Sequence, residues 1–303
     1  MLWQRHPALL ASTLRTGEAG RDADVVPDVQ GEVMELTGLQ GRVAVVTGAA
    51  RARGIGRDTA VVLAQSGCSV VVTGRKSSRL PEDEARSGWK GIHSVVAEIE
   101  AAGGKAAAFE GDLAVESEAQ RLADFTASTF GPATILVNNA AANRGDDRQA
   151  VADLPLEAWH TVMNTNNDSV FLVSRAFARQ MVAAGNGGSI VNISSIAGKV
   201  FGANTAAYAS SKAAMQAITK VMCRELGPNN IRVNAICPGL IDTARMDDLK
   251  GQEGWDALVD RSSLGRAGEP IDIAWMVAFL CSEQARWISG QAINVDGGSV
   301  LEA

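Results

Sequence analysis

Seven short apolar runs, each followed by a stretch of helical length, dominate the sequence from Gly41 onward. The runs are rich in Val, Ile and Ala and bounded by Gly, Asn or Asp: RVAVVT, CSVVVT, KAAAFE, TILVNN, GSIVNIS, IRVNAI and QAINVD. Strands of this kind, alternating with helices, predict a mostly parallel sheet with helices on both faces. Because such crossovers are right-handed, we expect a single doubly wound α/β domain that binds its ligand at the carboxyl ends of the strands.

Three segments depart from this alternation. Residues 1–38 show little periodicity, so we expect a flexible N-terminal extension before a catalytic domain formed by residues 39–303. Residues 76–91, KSSRLPEDEARSGWKG, form a polar insertion between the second strand and its helix, where loops are usually a few residues long. Residues 239–263 follow the sixth strand on the ligand side and are either a substrate lid or an ordinary surface excursion.

Charge and composition limit the partners of this chain. Its 303 residues carry a net charge of −6 with both signs mixed, which offers no basic surface for nucleic acid or an anionic membrane. No apolar run reaches the roughly 18 residues of a membrane span. The 4 cysteines have no CxxC or Cys/His ligand spacing, so we expect no metal site and a reducing compartment. A cytoplasmic protein acting on a small molecule is therefore predicted.

The first strand is followed by a glycine turn, TGAARARGIG, that leads into a helix. Gly48 permits a tight turn, Gly54 lets the backbone approach a pyrophosphate, and Gly56 opens the helix whose N-terminus faces the phosphates. A purely structural turn matches such a glycine pattern about as well. The strand before it and the helix after it favour a dinucleotide site.

Positively charged side chains follow the second strand. An NAD-binding chain would carry Asp or Glu here to bind the ribose hydroxyls, whereas this chain has Arg75 and Lys76, with Arg53 able to reach the same corner. These side chains favour NADP(H), with NAD(H) possible, because they suit a 2′-phosphate; plain solvation is the alternative. Asp112, after the third strand, is placed either to bind the adenine or to cap a helix.

Tyr208 and Lys212 in YASSK are four residues apart in what reads as a long helix, so their side chains share one face. With Ser195, thirteen residues earlier, and the glycine turn, they give the chain a pattern that resembles the short-chain dehydrogenase/reductase superfamily. The resemblance runs from Leu39 to the C-terminus and includes NNAA, NTNNDSVF, PGLIDT and SGQAINVDGG. The chain is similar to the NADP(H)-dependent 3-oxoacyl-carrier-protein reductases of this superfamily, and the resemblance implies a Rossmann-type domain.

The chemistry of the Tyr–Lys pair can be derived from the residues. A proton must reach the oxygen of a carbonyl that receives a hydride, and Tyr208 is the expected donor. A free tyrosine, with a pKa near 10, is too weak an acid at neutral pH. At about 4–5 Å and an effective dielectric near 20, Lys212 favours the phenolate by about 3–4 kcal/mol. The resemblance implies that Lys212 also binds the nicotinamide ribose, Ser195 the substrate oxygen, and Asn166 a proton-relaying water.

The resemblance also implies the remaining cofactor contacts. They comprise residues in and beside the glycine turn, after the third and fourth strands, and in PGLIDT: Ile55, Leu113, Asn138, Asn139, Ala140, Ala141, Pro238, Gly239, Ile241 and Thr243. Each catalytic candidate also has a simpler reading: Ser195 as a turn cap, Asn166 as a partner of backbone, and Lys212 as a solvated helix residue. Five residues separate Gly48 from Gly54 where the family usually has three, which can enlarge the pocket near the 2′-phosphate.

These features predict an enzyme that transfers a hydride between a nicotinamide and a carbonyl or secondary alcohol. Reduction of a C=C or C=N bond on the same scaffold, and a non-enzymatic dinucleotide sensor, are the alternatives. Candidate substrate contacts are Asn143, Arg144, Met246 and Trp255, which can equally serve packing or a subunit interface. The resemblance further implies a homotetramer or homodimer built on the helices that carry Asn166 and Tyr208.

Overall fold

Seven strands form one sheet in the computed structural model, which describes residues 36–75, 80 and 82–301. The strands are β1 (Val43–Val46), β2 (Ser69–Gly74), β3 (Lys105–Glu110), β4 (Ile135–Asn138), β5 (Gly188–Ile193), β6 (Ile231–Pro238) and β7 (Ala292–Val295). Their order is β3-β2-β1-β4-β5-β6-β7, and every neighbouring pair is parallel. The chain leaves β1 toward one edge and returns to its other side at β4. This reversal is the topological switch point at which such sheets bind ligands.

Helices cover both faces of the sheet, as predicted. They are α1 (Ile55–Gln65), α2 (Glu82–Arg86), α3 (Ile92–Ala101), α4 (Glu116–Phe130), α5 (Leu156–Met163), α6 (Ser169–Ala184), α7 (Ala206–Leu226), α8 (Glu253–Val259) and α9 (Pro270–Cys281). A π-helical turn, Asn164–Asp168, joins α5 to α6. Short 3-10 turns occur at Ile196–Gly198, Gly227–Asn229, Ala244–Met246 and Glu283–Ala285.

The two faces of each strand pack against different helices. In β1, Ala44 and Val46 belong to the core beneath α1, α3 and α9, while Val43 and Val45 belong to the core beneath α4, α6 and α7. Successive strand side chains point to opposite faces, so a strand buried on both sides is apolar at most positions on either face. This explains why the seven runs read as continuous apolar stretches instead of alternating ones.

The polar insertion packs against the lengthened glycine turn. The indole nitrogen of Trp89 donates to the carbonyl oxygen of Ala50 at 2.8 Å, and the amide of Ala52 donates to Glu84 Oε1 at 2.9 Å. The insertion and the lengthened glycine turn thus lie together, because side chains of the insertion bind backbone groups of the turn. Part of the insertion, including Lys76, lies outside the described residues.

The boundary at residue 38 stays a prediction, because residues 1–35 lie outside the described part of the chain. Residues 36–303 cluster as one unit, to which Leu39 contributes a fully buried side chain. Within the described residues, no helix is both long and apolar enough to cross a membrane.

Candidate active site

A cavity of about 730 Å³ opens at the carboxyl ends of the central strands, at the switch point. Most of the predicted cofactor and catalytic residues line it: Gly48, Ile55, Arg75, Leu113, Asn139, Ala140, Ala141, Ser195, Tyr208, Lys212, Pro238, Gly239, Ile241 and Thr243. The fold therefore gathers residues from across the chain into one site.

The glycine turn is held against the loop that follows β4. Gly48 has a φ of 69°, and a Cβ at this position would lie 2.6 Å from Ala140 Cα, so only glycine fits. The side-chain amide of Asn139 donates to the carbonyl oxygens of Thr47 and Gly48, both at 2.9 Å. Asn138 instead points into the sheet, where it donates to Ser174 and Asn192. The turn ends where α1 begins, so the N-terminus of this helix lies beside the turn, where its dipole would favour a phosphate.

Arg75 and Arg53, both predicted to bind a 2′-phosphate, have different contacts in the structure. Arg75 donates to Thr165 Oγ1 at 3.0 Å and lies 3.4 Å from Asp112. Arg53 instead forms ion pairs with Asp242, at 3.6 Å, and with Asp247. These contacts tie Arg53 to the segment after β6, whereas its predicted role was at the 2′-phosphate.

Arg51 is the residue of this region that the sequence prediction missed. Its side chain lines the cavity, and its Nη1 atom is buried without a hydrogen-bond partner. A buried guanidinium nitrogen that lacks an acceptor is costly, so we expect a water or a ligand oxygen to bind it. Together with the glycine turn, Arg51 shows that the residues present suit a nucleotide phosphate.

Asp112 has a local structural role, and neither it nor Gly54 and Gly56 lines the cavity among the described residues. Its Oδ1 atom accepts from the amide of Ala114 at 3.1 Å, which forms a turn before α4. The N-cap of α4 is Val115, so the predicted alternative of a helix cap is not what the structure has.

Tyr208 and Lys212 lie in the first part of α7, on the face turned toward β5. The side chain of Lys212 is 2% exposed, and its Nζ donates to the carbonyl oxygen of Ile193 at 2.7 Å. Burial lowers the pKa of Lys212 to about 8, although the neighbouring Tyr208 opposes this decrease. Lys212 is therefore a buried, hydrogen-bonded group, and the reading as a solvated helix residue is wrong.

The phenol of Tyr208 is surrounded by cations. Burial raises its pKa, but the charges of Arg245, Lys212 and Arg148, with a hydrogen bond from Ser195, outweigh burial and leave the pKa below its ordinary value of 10. Ser195 also accepts from the amide of Ala197 at 3.1 Å and so caps a 3-10 turn. Ser195 therefore caps this turn and also contacts the tyrosine.

Asn166 is fully buried in the π-helical turn between α5 and α6. Its Oδ1 accepts from the amide of Ala142 at 2.8 Å, and its Nδ2 donates to Ser211 Oγ at 2.9 Å. Ser211 Oγ in turn donates to the carbonyl oxygen of Tyr208 at 2.7 Å. The side chain thus ties the cavity loop after β4 to the helix of Tyr208, and π-turns of this kind are frequent at functional sites.

The segment after β6 covers one side of the cavity. Ile241 pairs with Gly268, and the amide of Ala244 donates to the carbonyl oxygen of Arg53 at 2.9 Å. Asp248 forms an ion pair with Arg144 of the loop after β4. Of the four candidate substrate contacts, Asn143, Arg144 and Met246 line the cavity, and Trp255 is not among its described lining residues.

Arg148 and Arg245 are further cavity residues that the sequence prediction did not single out. Their only sequence signal is position, since both lie in loops that follow strands on the ligand side. Nothing in the sequence spacing indicates that the two loops meet over the phenol.

Comparison with known proteins places this site in a family. The sequence profile of a family described as Enoyl-(Acyl carrier protein) reductase matches residues 48–300. The chain is 38% identical to 7alpha-hydroxysteroid dehydrogenase of Escherichia coli K12 over 87% of this chain and 96% of that one. It is 35% identical to 3-oxoacyl-[acyl-carrier-protein] reductase of Synechocystis sp. PCC 6803 over 88% of this chain and all of that one.

A solved structure agrees with these relatives. A short-chain dehydrogenase/reductase double mutant from Serratia marcescens superposes with a TM-score of 0.76 at 35% identity, covering 86% of this chain and 98% of that one. The fold and the cavity define an oxidoreductase that uses a nicotinamide dinucleotide. The chain belongs to the short-chain dehydrogenase/reductase superfamily, whose members act on alcohols and carbonyls.

Proposed function

We propose that this enzyme catalyses NADP(H)-dependent hydride transfer between the nicotinamide and a ketone, aldehyde or secondary alcohol, with Tyr208 as general acid and base. The observation that carries the proposal is the phenol of Tyr208, which lies in the cavity with a lowered pKa beside Ser195 and buried Lys212. A phenol whose pKa is lowered in this way is a stronger proton donor than a free tyrosine, and its anion forms more readily.

The roles of the residues follow from their positions. A bound nicotinamide would supply or accept the hydride. Ser195 orients the substrate oxygen beside the phenol, and Tyr208 donates its proton as that oxygen gains charge. Lys212 holds the resulting phenolate by its charge, while its bond to Ile193 fixes the ammonium in place. Asn166 fixes the loop of Ala142 against α7 and so keeps the cavity wall in register with the phenol.

The choice of NADP(H) over NAD(H) is supported by the arginines at the adenosine end. Arg51 has a buried nitrogen without an acceptor, and Arg75 lies on the cavity wall. A 2′-phosphate offers oxygens to both guanidinium groups, whereas a ribose hydroxyl offers little charge for them to bind. Arg53 is left out of this assignment because the carboxylates of Asp242 and Asp247 hold it.

Arg51→Met and Arg75→Ala are expected to weaken NADPH binding about tenfold or more each, with little change for NADH. The expected size is that of one charge-assisted hydrogen bond, 1.5–3 kcal/mol. Fluorescence titration with both cofactors measures the effect, and Arg266→Met, outside the cavity, serves as the control. Equal losses for NADPH and NADH would refute the assignment.

The proposed reaction is tested by NADPH consumption with 3-oxoacyl thioesters, steroid ketones, sugars and small ketones. These classes include those in the names of the two relatives above. Turnover with one class, lost in Tyr208→Phe, supports the proposal. NADPH binding without turnover of any class would favour a dinucleotide sensor.

A second candidate is reduction of a C=C bond, which the description of the matching family profile favours. The panel therefore includes a 2-enoyl thioester beside the 3-oxoacyl thioester of the same chain length. Preference for the enoyl compound, with retained activity in Tyr208→Phe, would replace the carbonyl proposal.

We propose a cytoplasmic homotetramer or homodimer. Its support is a set of exposed apolar side chains on the two helices concerned: Phe171 (47% exposed) and Val182 (42%) on α6, and Val221 (52%) on α7. Such groups lose contact with water in an interface. Light scattering is expected to give a multiple of 31.6 kDa; a monomer would contradict the proposal. All four cysteines are free thiols, which suits a reducing compartment.

A further inference from the structure

Two guanidinium groups lie close to the ring of Tyr208 in addition to the ammonium of Lys212. The guanidinium carbon of Arg148 lies 4.4 Å from the ring centroid, and that of Arg245 lies 5.1 Å from it. Arg148 comes from the loop after β4, and Arg245 comes from the 3-10 turn Ala244–Met246. The fold thus brings two cations from distant parts of the chain to one phenol on the wall of the cavity.

Neither guanidinium has a hydrogen-bonded carboxylate in the described part of the chain. The nearest acid to Arg148 is its neighbour Asp147, with 3.4 Å between Nε and Oδ2, and both of these atoms are buried without a hydrogen bond. Arg245 forms no ion pair with a described residue and has the phenol ring as its contact. Because a guanidinium has five N–H donors, several donors at this wall lack a protein acceptor.

Other cations of the cavity are engaged differently. Arg144 is paired with Asp248, and Arg75 donates to Thr165 beside Asp112. Arg148 and Arg245 instead repel each other: burial lowers the pKa of Arg148, Asp147 opposes this decrease, and the charge of Arg245 adds to it. An anion bound between them would relieve the repulsion and supply the missing acceptors.

We propose that Arg148 and Arg245 bind a carboxylate of the substrate, so that the preferred substrates are oxo acids or the corresponding hydroxy acids. The proposal rests on the function proposed above, since it assigns the substrate class of the same site. Both guanidinium groups lie beside the ring whose hydroxyl serves the reacting carbonyl. The carboxylate must therefore be only one or two carbons from that carbonyl, as in a 2-oxo or 3-oxo acid.

The test compares each acid with its neutral methyl ester: pyruvate with methyl pyruvate, and acetoacetate with methyl acetoacetate. The measured quantity is the ratio of kcat/KM for acid over ester, with NADPH, in the wild type and in Arg148→Met, Arg245→Met and Arg266→Met. Both members of a pair need Tyr208, so any loss of phenol activation cancels in the ratio. Arg266, paired with Asp272 outside the cavity lining, controls for the change in net charge.

We expect the wild type to prefer one of the acids over its ester at least tenfold. Arg148→Met and Arg245→Met should each lower that ratio about ten- to hundredfold, the size of a lost charge-assisted hydrogen bond, and Arg266→Met should leave it unchanged. An unchanged ratio in both cavity variants would overturn the proposal. An increase in the KM for NADPH, with an unchanged ratio of kcat/KM for acid over ester, would also overturn the proposal. The arginines would then hold a cofactor phosphate.

Absence of turnover with every acid and ester would count against the proposed reaction, and a binding measurement then tests the carboxylate site separately. Acetoacetate, in the presence of NADPH, should raise the melting temperature of the wild type more than methyl acetoacetate does, and Arg245→Met should abolish this difference. An equal shift for acid and ester in the wild type, or no loss of the difference in the variant, would overturn the carboxylate site.

Discussion

Tyr208→Phe is expected to lower kcat for carbonyl reduction by about 10²–10⁴-fold, the usual contribution of a general acid. The substitution removes only the hydroxyl, so the ring contacts of Arg148 and Arg245 and the start of α7 can remain. At 1.36 kcal/mol per factor of ten, the barrier rises by about 3–5 kcal/mol. The measurement is steady-state NADPH oxidation with the substrate that the panel identifies.

The matched control is the affinity for NADPH, which should be unchanged because the lost group acts on the substrate oxygen. Loss of both turnover and NADPH binding would indicate a disturbed site instead of a missing acid. Retention of wild-type kcat would remove Tyr208 from the proposed role, and Ser195 would then be the next hydroxyl to test as proton donor.

Much of the fold was predictable because buried strands appear in the sequence as short apolar runs. A strand covered on both faces is apolar at most of its positions, and all seven apolar runs became strands of one parallel sheet. Ser195, Tyr208 and Lys212 were predictable as a set because regular structure fixes their positions. Two of them share one helix, and Ser195 is the second residue after β5.

The residues that the sequence did not reveal lie in loops. Arg51, Arg148 and Arg245 reach the cavity through chain segments whose paths depend on contacts made far away, such as the bond from Trp89 to Ala50. Arg53 also lies in a loop, and the sequence did not indicate the partners of its side chain. Its place in the glycine turn suggested a phosphate contact, but the carboxylates of Asp242 and Asp247, about 190 residues later in the chain, hold it.

Lys212→Met is expected to lower kcat about 10²-fold or more near neutral pH and to move the pH profile upward. Lys212 is one of the charges that keep the pKa of Tyr208 below its usual value, so its removal raises that pKa. Alcohol oxidation needs the phenolate and slows as the pH falls through the tyrosine pKa, so this acid limb moves to higher pH. Carbonyl reduction needs the phenol and slows as the pH rises, so its alkaline limb moves in the same direction.

The size of the shift is limited because Arg245 and Arg148 still favour the phenolate in this variant. We expect about one unit or more in both limbs, measured as kcat/KM against pH for oxidation and reduction. A purely structural role for Lys212 would lower both rates without moving either limb, and a downward shift would contradict the electrostatic role outright.

Stability gives an independent check on the same lysine. In the native state the pKa of Lys212 is about 8, below its ordinary value of 10.5, so the buried ammonium costs stability at neutral pH. Between these two values the unfolded chain binds more protons than the native one, and the native state gains stability as the pH rises. Lys212→Met removes this group, so melting temperatures of the variant should rise less than those of the wild type from pH 8 to 10.5. Parallel melting curves against pH would show that the lysine carries no such buried charge, and the tyrosine would then owe its lowered pKa to the two arginines and the hydrogen bond from Ser195.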